Sequence, residues 1–277
     1  MKPVIRLGIS TCPNDTFAFH GLLTRAVDWR GLDFQVELLD VETLNERLLG
    51  GTFDVCKASF HAALLAADDV VVLPSGSALG FGVGPLLLAA KPGTRPTDVG
   101  QRTLCPGRHT TAALLFDLFH PRSSRVEHVV FSEIMPRLEA GTADFGVCIY
   151  EGRFTWQARG LALVEDLGTR WEMETSCPLP LGGIVARRRL PSATIATVQQ
   201  VIHDSLALAL GDRDAALPTM RAHAQEFDDR VLMQHVDLYV NEWTVDLGQI
   251  GARALDKLSA RAASLGLASH RLRVFAG

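Results

Sequence analysis

The residues best placed to do chemistry lie where short apolar stretches run into turn residues and hydroxyls. In the segment RTLCPGRHTTAALL, Thr103, Leu104 and Cys105 form an apolar run and Pro106-Gly107 a turn. Thr110 and Thr111 then precede Ala112, Ala113, Leu114 and Leu115. Thr and Ser are favoured just ahead of a helix because their oxygens satisfy backbone N–H groups that the first turn leaves free. Those N–H groups, with the positive end of the helix dipole, attract anions. A strand whose C-terminal end opens into such a turn makes the ligand corner of an open parallel sheet.

Two more corners of this kind precede it. Val4–Ser10 reads as a strand, followed by the turn-rich Thr11-Cys12-Pro13-Asn14-Asp15-Thr16 and an apolar helix (Phe17, Phe19, Leu22, Leu23). Phe53–Lys57 reads as another strand, and Ser59 opens the helix Phe60–Ala67. Lys57 stands out in a chain with four lysines against 23 arginines. It reads either as a solvated strand end or as a cation that holds a carboxylate beside a helix N-terminus. A strand over 144–149 delivers Tyr150-Glu151-Gly152-Arg153 to the same edge.

The elements between are set by hydrophobic period. Asp33–Leu39 alternates Phe34, Val36 and Leu38 with Gln35 and Glu37, a strand with one polar face. Val41, Leu44 and Leu48 follow helical spacing, and Gly50-Gly51 stops the run. Val70–Leu73 reads as a strand. Ser75–Gly84 is rich in glycine but leads into the apolar Leu86–Leu88 rather than a helix and has no GK[ST], so it is no phosphate loop. Lys91–Gly100 reads as a first passage between domains. Then come a strand over 126–130, a helix capped by Ser132 and ended by Gly141, and a strand over 161–165. Cys177–Gly183 reads as a second passage, and Ile184–Ala186 as a strand returning to the first domain. From Ser192 onward the pattern is helical: 192–210, 212–226 (interrupted by Pro218), 228–243 and 248–265, the last with a capping box at 246–249.

Two passages imply a discontinuous first lobe, 1–89 plus 183–277, with a second lobe, 90–182, inserted. The expected fold is α/β and two-lobed, with the ligand in the cleft between lobes. The corners at 10–16 and 57–60 then face those at 106–111 and 150–153.

Composition narrows the function class. With 277 residues and 47% hydrophobic content, a packed core is expected. A net charge of −4 speaks against nucleic acid or an anionic membrane as partner. No apolar run is long enough for a signal peptide or a membrane span. The five cysteines are odd in number and show no metal-ligand spacing, which suits a reducing cytoplasm. Cys12, Cys56, Cys105 and Cys148 sit near strand ends but read better as small buried hydrophobes than as nucleophiles. His223 and His235, on amphipathic helices, read as structural. Asn14, Asp15 and Asn45 could bind hydroxyls or cap helices, and Arg153 could pair a carboxylate or tie down its loop.

On these segments the chain resembles the 1,4-dihydroxy-6-naphthoate synthase family of menaquinone biosynthesis, which belongs to the futalosine pathway. The matching stretches are STCPNDTFAF (10–19), DVETLN (40–45), SGSALGFGVGPL (75–86), PGRHTTA (106–112), EGRFT (151–155), CPLPLGG (177–183) and MRAHAQE (220–226). The resemblance implies a type II periplasmic-binding-protein-like fold working as a cytoplasmic carbon–carbon lyase. Its substrate would be the carboxylate cyclic dehypoxanthinyl futalosine, cleaved to 1,4-dihydroxy-6-naphthoate and dihydroxyacetone without metal or organic cofactor. It places substrate contacts on Lys57, Ala58, Ser59, Thr110 and Thr111, with Asn14, Asn45 and Arg153 as further binding candidates. The family's proton acceptor, a histidine just before the EGRFT motif, is Tyr150 here. A tyrosine has an unperturbed pKa of about 10, so it would act as a base only if strongly perturbed, or else as a proton donor. His109 and Glu151 are the nearest substitutes. A non-catalytic carboxylate-binding protein and the chorismate dehydratase of the same pathway are the alternative readings. The expected partner is a small molecule, with neither nucleic acid nor membrane and an oligomeric state that sequence leaves open, a monomer included.

Overall fold

The computed structural model describes residues 2–150, 152–224, 228–267 and 270–276. Its two sheets are built around the strand ends singled out above. The first half runs β1 (Val4–Ser10), α1 (Pro13–Ala18), α2 (His20–Leu23), β2 (Asp33–Leu39), α3 (Val41–Leu49), β3 (Val55–Ser59), α4 (Phe60–Leu65), β4 (Val70–Val72) and β5 (Ala78–Gly80). Next come β6 (Leu86–Ala89), β7 (Arg102–Cys105), α5 (Thr111–Phe119), β8 (Arg125–His128), α6 (Phe131–Glu139), β9 (Phe145–Cys148), α7 (Gly152–Thr155), β10 (Ala162–Asp166) and α8 (Leu167–Thr175). The chain closes with β11 (Leu179–Arg187), α9 (Ser192–Gly211), α10 (Leu217–His223), α11 (Asp229–Tyr239), α12 (Glu242–Val245) and α13 (Gly248–Ser264).

Sheet one has the order β2-β1-β3-β11-β4, with β5 also on β11; sheet two has the order β10-β6-β9-β7-β8. Strands β1, β2 and β3 are mutually parallel, as are β7, β8 and β9, while β11 and β6 run antiparallel to their neighbours. The C-terminal ends of β1 and β3 in one sheet, and of β7 and β9 in the other, therefore open into the space between the sheets. This is the edge at which open α/β sheets hold ligands.

Side-chain pattern explains the packing. Ile5, Leu7 and Ile9 of β1 are buried with Phe17 of α1 and Val198 and Ile202 of α9. On the other side, one apolar cluster runs from Leu44, Phe53 and Phe60 through Leu114 and Phe116 to Trp171, so it spans both lobes. A smaller cluster joins Leu88 and Leu104 to Ile134 and Leu138 under α6. Helix α5 is apolar over nearly its whole surface because it is buried nearly all round.

Several expectations shift. Helix α1 begins at Pro13, since proline is pre-set for the first helical turn and its missing N–H is not needed there. Strand β6 pairs within sheet two, and β11 joins sheet one from Leu179. The crossings thus lie near 81–85 and 176–178, earlier than the expected 89/90 and 182/183. The run Leu86–Ala89 is wholly apolar and wholly buried, which makes it a strand of the second core. Residues 91–100 form a surface excursion between β6 and β7. Pro180 and Gly182 belong to β11 because a register shift falls between them, a place where a residue without an N–H is tolerated. Helix α6 starts at Phe131 with Val130 as its cap, so Ser132 lies inside it. Helix α8 carried no expectation at all. Leu247 rather than Asp246 precedes α13, and the capping box is found instead on Asn241 and Thr244. The expected helix 212–226 is α10 with a short 3-10 turn before it, and residues 225–227 lie outside the described set.

Two histidines are folded into this interior. His61, in the first turn of α4, and His235, on α11, are buried, and burial pushes both down to about 4. A histidine whose folded pKa lies below its unfolded value stays neutral in the native state while the unfolded chain takes up a proton. Stability is then fully present above about pH 6.5 and declines as pH falls toward 4, by up to about 1.4 kcal/mol per pH unit for each ring. Urea unfolding between pH 7 and 4.5 should show this decline, and His235→Leu should flatten it. An unchanged slope in the variant would remove His235 from the account.

Candidate functional site

A cavity with about 710 Å³ of empty space, counting its mouth, lies where the strand ends of the two sheets meet. Lobe one lines it with Ser10, Cys12, Asn14, Asp15, Lys57, Ala58 and Ser59. Lobe two supplies Thr110, Thr111, Ala112, Ile149, Tyr150 and Arg153, and Leu181, Gly182 and Tyr239 complete the wall. Of the expected site residues, Lys57, Ala58, Ser59, Thr110, Thr111, Asn14, Arg153 and Tyr150 meet here. Asn45 and His109 do not line the cavity. Glu151 lies outside the described residues.

The strand ends explain how each side chain is held. Lys57, at 6% exposure, lies within β3 with its ammonium 2.6 Å from Asp15 Oδ1, and it also donates to the Gly76 carbonyl at 3.1 Å. Asp15 accepts further from Ser10 Oγ at 2.5 Å and from Asn14 Nδ2 at 3.2 Å. Lys57 is therefore neither of the two things considered for it: it is not solvated, and its charge is taken up by Asp15 rather than offered as a bare cation. Ser59, at the N-terminus of α4, is fixed from outside the cavity. Asn45 Oδ1 accepts from its backbone N at 2.9 Å, and Asn45 Nδ2 donates to its hydroxyl at 3.1 Å. The hydroxyl proton of Ser59 is thereby left to point elsewhere.

On the opposite wall, Thr110 caps α5. Its hydroxyl accepts from Ala113 N at 3.2 Å and donates to Gly107 O. The Thr111 hydroxyl donates to Leu181 O at 2.6 Å and accepts from His61 N. Both hydroxyls thus hold the protein together. What the two residues offer a ligand is the first-turn backbone N–H groups of Thr111 and Ala112, which have no intrahelical acceptor. Arg153 also lines the cavity, but its guanidinium is engaged by the Gly84 carbonyl at 2.6 Å and Asp166 Oδ2 at 2.7 Å. It ties its loop to the crossing between the sheets.

Tyr150 sits at the end of β9 with φ +56, in the left-handed region that a bulky residue seldom adopts. Its ring packs edge-on against Phe131 with centroids 5.0 Å apart. Burial, then Cys12 and Asp15 nearby, hold its phenol well above the ordinary tyrosine value. At neutral pH it therefore keeps its proton and can donate a hydrogen bond. Burial also pushes the Cys12 thiol up to about 12, so it is no nucleophile at neutral pH. All five cysteines are free, and Cys56 and Cys105 are shifted upward for the same reason.

His109 lies at the contact between lobes, with Nδ1 2.8 Å from Glu42 Oε1. That removes it from the cavity and from the substitute role considered for it. Glu42, Glu46 and His109 bring ligand-type atoms within 4.8 Å of one another. Glu42 already accepts from Arg108 N and His109 N, so its carboxylate is engaged in a hydrogen-bonded contact between the lobes. Sequence reasoning missed Tyr239. Its one signal was rarity, since the chain has two tyrosines and both line this cavity. It weighed Asp15 only as a cap or hydroxyl ligand and missed the pairing with Lys57, because 42 residues separate the two.

The Lys57–Asp15 pair gives a direct test. Lys57→Met strands a buried carboxylate and should cost roughly 3–5 kcal/mol. Adding Asp15→Leu should recover much of that loss. Urea midpoints of the single and double variants measure it, and additive losses would show that the two groups act independently.

The chain is 43% identical over 265 residues to a 1,4-dihydroxy-6-naphthoate synthase of Thermus thermophilus, covering 96% of each. It is 38% identical over 272 residues to the synthase of the same name from Streptomyces coelicolor, covering 95% of this chain and 94% of that one. Among solved structures it superposes on a protein of Archaeoglobus fulgidus with TM-score 0.89 at 29% identity, covering 95% of this chain and 98% of that one. The periplasmic aliphatic sulphonate binding protein of Escherichia coli matches with TM-score 0.64 at 13% identity, over 99% of this chain and 91% of that one, which shows the shared two-lobed fold. The menaquinone biosynthesis family matches residues 5–264. A match of that extent, on a chain whose two sheets close over one cavity, makes this protein a member of the menaquinone biosynthesis family.

Proposed function

We propose that this chain is a 1,4-dihydroxy-6-naphthoate synthase, a carbon–carbon lyase that cleaves cyclic dehypoxanthinyl futalosine to the naphthoate and dihydroxyacetone. One observation carries the reading. The positions at which the family resemblance places substrate contacts, 57–59 and 110–111, line a single cavity from opposite lobes. Five free cysteines also favour a reducing, cytoplasmic setting.

The reaction is of retro-aldol type. A hydroxyl on the departing three-carbon fragment loses its proton and becomes the carbonyl of dihydroxyacetone. The electron pair of the breaking carbon–carbon bond passes into the ring ketone, and the resulting enolate aromatises. The substrate carboxylate suits the first-turn amides of α5 together with the Ser59 hydroxyl. The protonated phenol of Tyr150 donates to the ring oxygen on which charge develops. We assign proton acceptance to Asp15, the carboxylate among the described lining residues, working through the Ser10 hydroxyl that donates to it. Lobe closure excludes water and aligns the breaking bond.

Purified protein given the cyclic substrate should release the naphthoate in multiple turnovers. Binding without release would favour a carboxylate-binding role on the same scaffold. Tyr150→Phe should lower kcat roughly 100-fold by removing an oxyanion donor. Ser10→Ala should lower kcat while leaving the thermal midpoint near its original value. Tyr150→His should remain active and gain an inflection near pH ~6.5, because the new ring titrates there and the left-handed backbone suits histidine better than tyrosine. An unchanged rate in Tyr150→Phe would remove the phenol from the mechanism.

A further inference from the structure

We infer that Glu42 is a positioning residue that couples closure of the two lobes to the orientation of Ser59. Glu42 lies in the first turn of α3, in lobe one, outside the cavity lining. Its carboxylate takes three donors from lobe two: Arg108 N at 2.8 Å, His109 N at 3.1 Å and His109 Nδ1 at 2.8 Å. Gly107 makes room for it. With φ +91, that residue has its missing Cβ position 2.6 Å from the Glu42 carboxylate, so any side chain there would displace the contact.

The same carboxylate reaches inward. Its Oε2 accepts from Asn45 Nδ2 at 3.2 Å, one helical turn along α3. Asn45 is fully buried and grips Ser59 twice, through Oδ1 to the backbone N and through Nδ2 to the hydroxyl. An amide can satisfy both Ser59 atoms only in one flip state, with Oδ1 toward the backbone N–H. The Ser59 backbone N–H selects that state and Glu42 braces it, because its oxygen accepts only from the NH2 side. When the lobes part, Glu42 loses three donors and is free to swing, and its brace on the Asn45 amide goes with it, so that Asn45 and Ser59 hold each other alone. Ser59 is therefore held in its cavity-facing arrangement when segment 107–109, which leads into α5, has closed on α3.

This coupling favours the closed state in the free protein, and a ligand that binds the closed state gains apparent affinity in proportion to its population. Removing the carboxylate should accordingly raise KM and leave the closed-complex chemistry much less affected. In Glu42→Ala, KM should rise about tenfold with kcat within about threefold, and the Kd of the product naphthoate should weaken by the same factor. Small-angle scattering of the ligand-free variant should show a larger radius of gyration than the original protein, and saturating naphthoate should bring the two together. His109→Ala approaches the contact from the other lobe and should shift the same quantities in the same direction by less. Asn45→Ala, one step nearer Ser59, should lower kcat as well as raise KM. The kinetic and naphthoate-binding arms rest on the function proposed above, whereas scattering of the ligand-free protein does not. No turnover by the original protein would overturn that function and leave the scattering comparison to decide the coupling. A radius of gyration of the ligand-free protein unchanged in both Glu42→Ala and His109→Ala would overturn the coupling itself.

Discussion

A lysine ammonium taken out of water must bring its counter-charge with it, and much of this site follows from how that demand is met. Lys57 lies in the buried strand β3, two residues before the strand opens into the cleft. An unpaired charge in that position would cost several kcal/mol. Asp15 meets the demand from α1, which is why α1 has to begin at Pro13, early enough to turn Asp15 back toward the strand ends. Ser10 and Asn14 then complete the carboxylate's hydrogen bonds. The pair pins the first corner to the second. It also leaves the lobe-one wall nearly neutral, so an anion in the cleft would meet its main attraction at the helix terminus on the other wall.

That division of labour explains why the opposite wall is built of engaged hydroxyls and backbone amides. The hydroxyls of Thr110 and Thr111 hold the segment between β7 and α5, on Gly107 O and Leu181 O. Rigid amides at a helix N-terminus bind an anion with little ordering cost. A free arginine could do the same electrostatically, but it would have to be ordered first. Arg153, the arginine in this cavity, is instead spent on the Gly84 carbonyl and Asp166, where it stiffens the crossing between lobes.

Much of this was legible in the sequence, and the limits have physical causes. The corners were readable because each combines local signals: an apolar run, turn residues and a hydroxyl or proline before a helix. The facing of 57–59 and 110–111 followed from topology once two passages between lobes were inferred. The boundaries of the lobes slipped because Pro and Gly punctuate surface excursions and bulged strands alike. The residues 91–100 and Pro180 carry the same local signature for opposite reasons. Partnerships across long separations were not readable at all. Nothing local to Lys57 names Asp15, nothing local to His109 names Glu42, and Tyr239 enters the cavity from a helix more than fifty residues past the second crossing.

Tyr150 joins the two scales of the argument. Locally it is a strained choice, a bulky ring at φ +56 where small polar residues or histidine are more at ease. Its surroundings keep its phenol protonated. Strain of this kind persists only where neighbouring contacts over-determine it, and here Phe131 on one side and the Cys12–Asp15 corner on the other do so. A protonated donor in a cavity wall stabilises negative charge as it forms, whereas a base must already be ionised before the reaction starts. On the mechanism proposed above, a tyrosine at position 150 leaves proton acceptance to the carboxylate across the cleft that Lys57 already holds in place. On that mechanism closure matters twice over, because the proposed donor and acceptor belong to different lobes and act on one substrate only when those lobes meet.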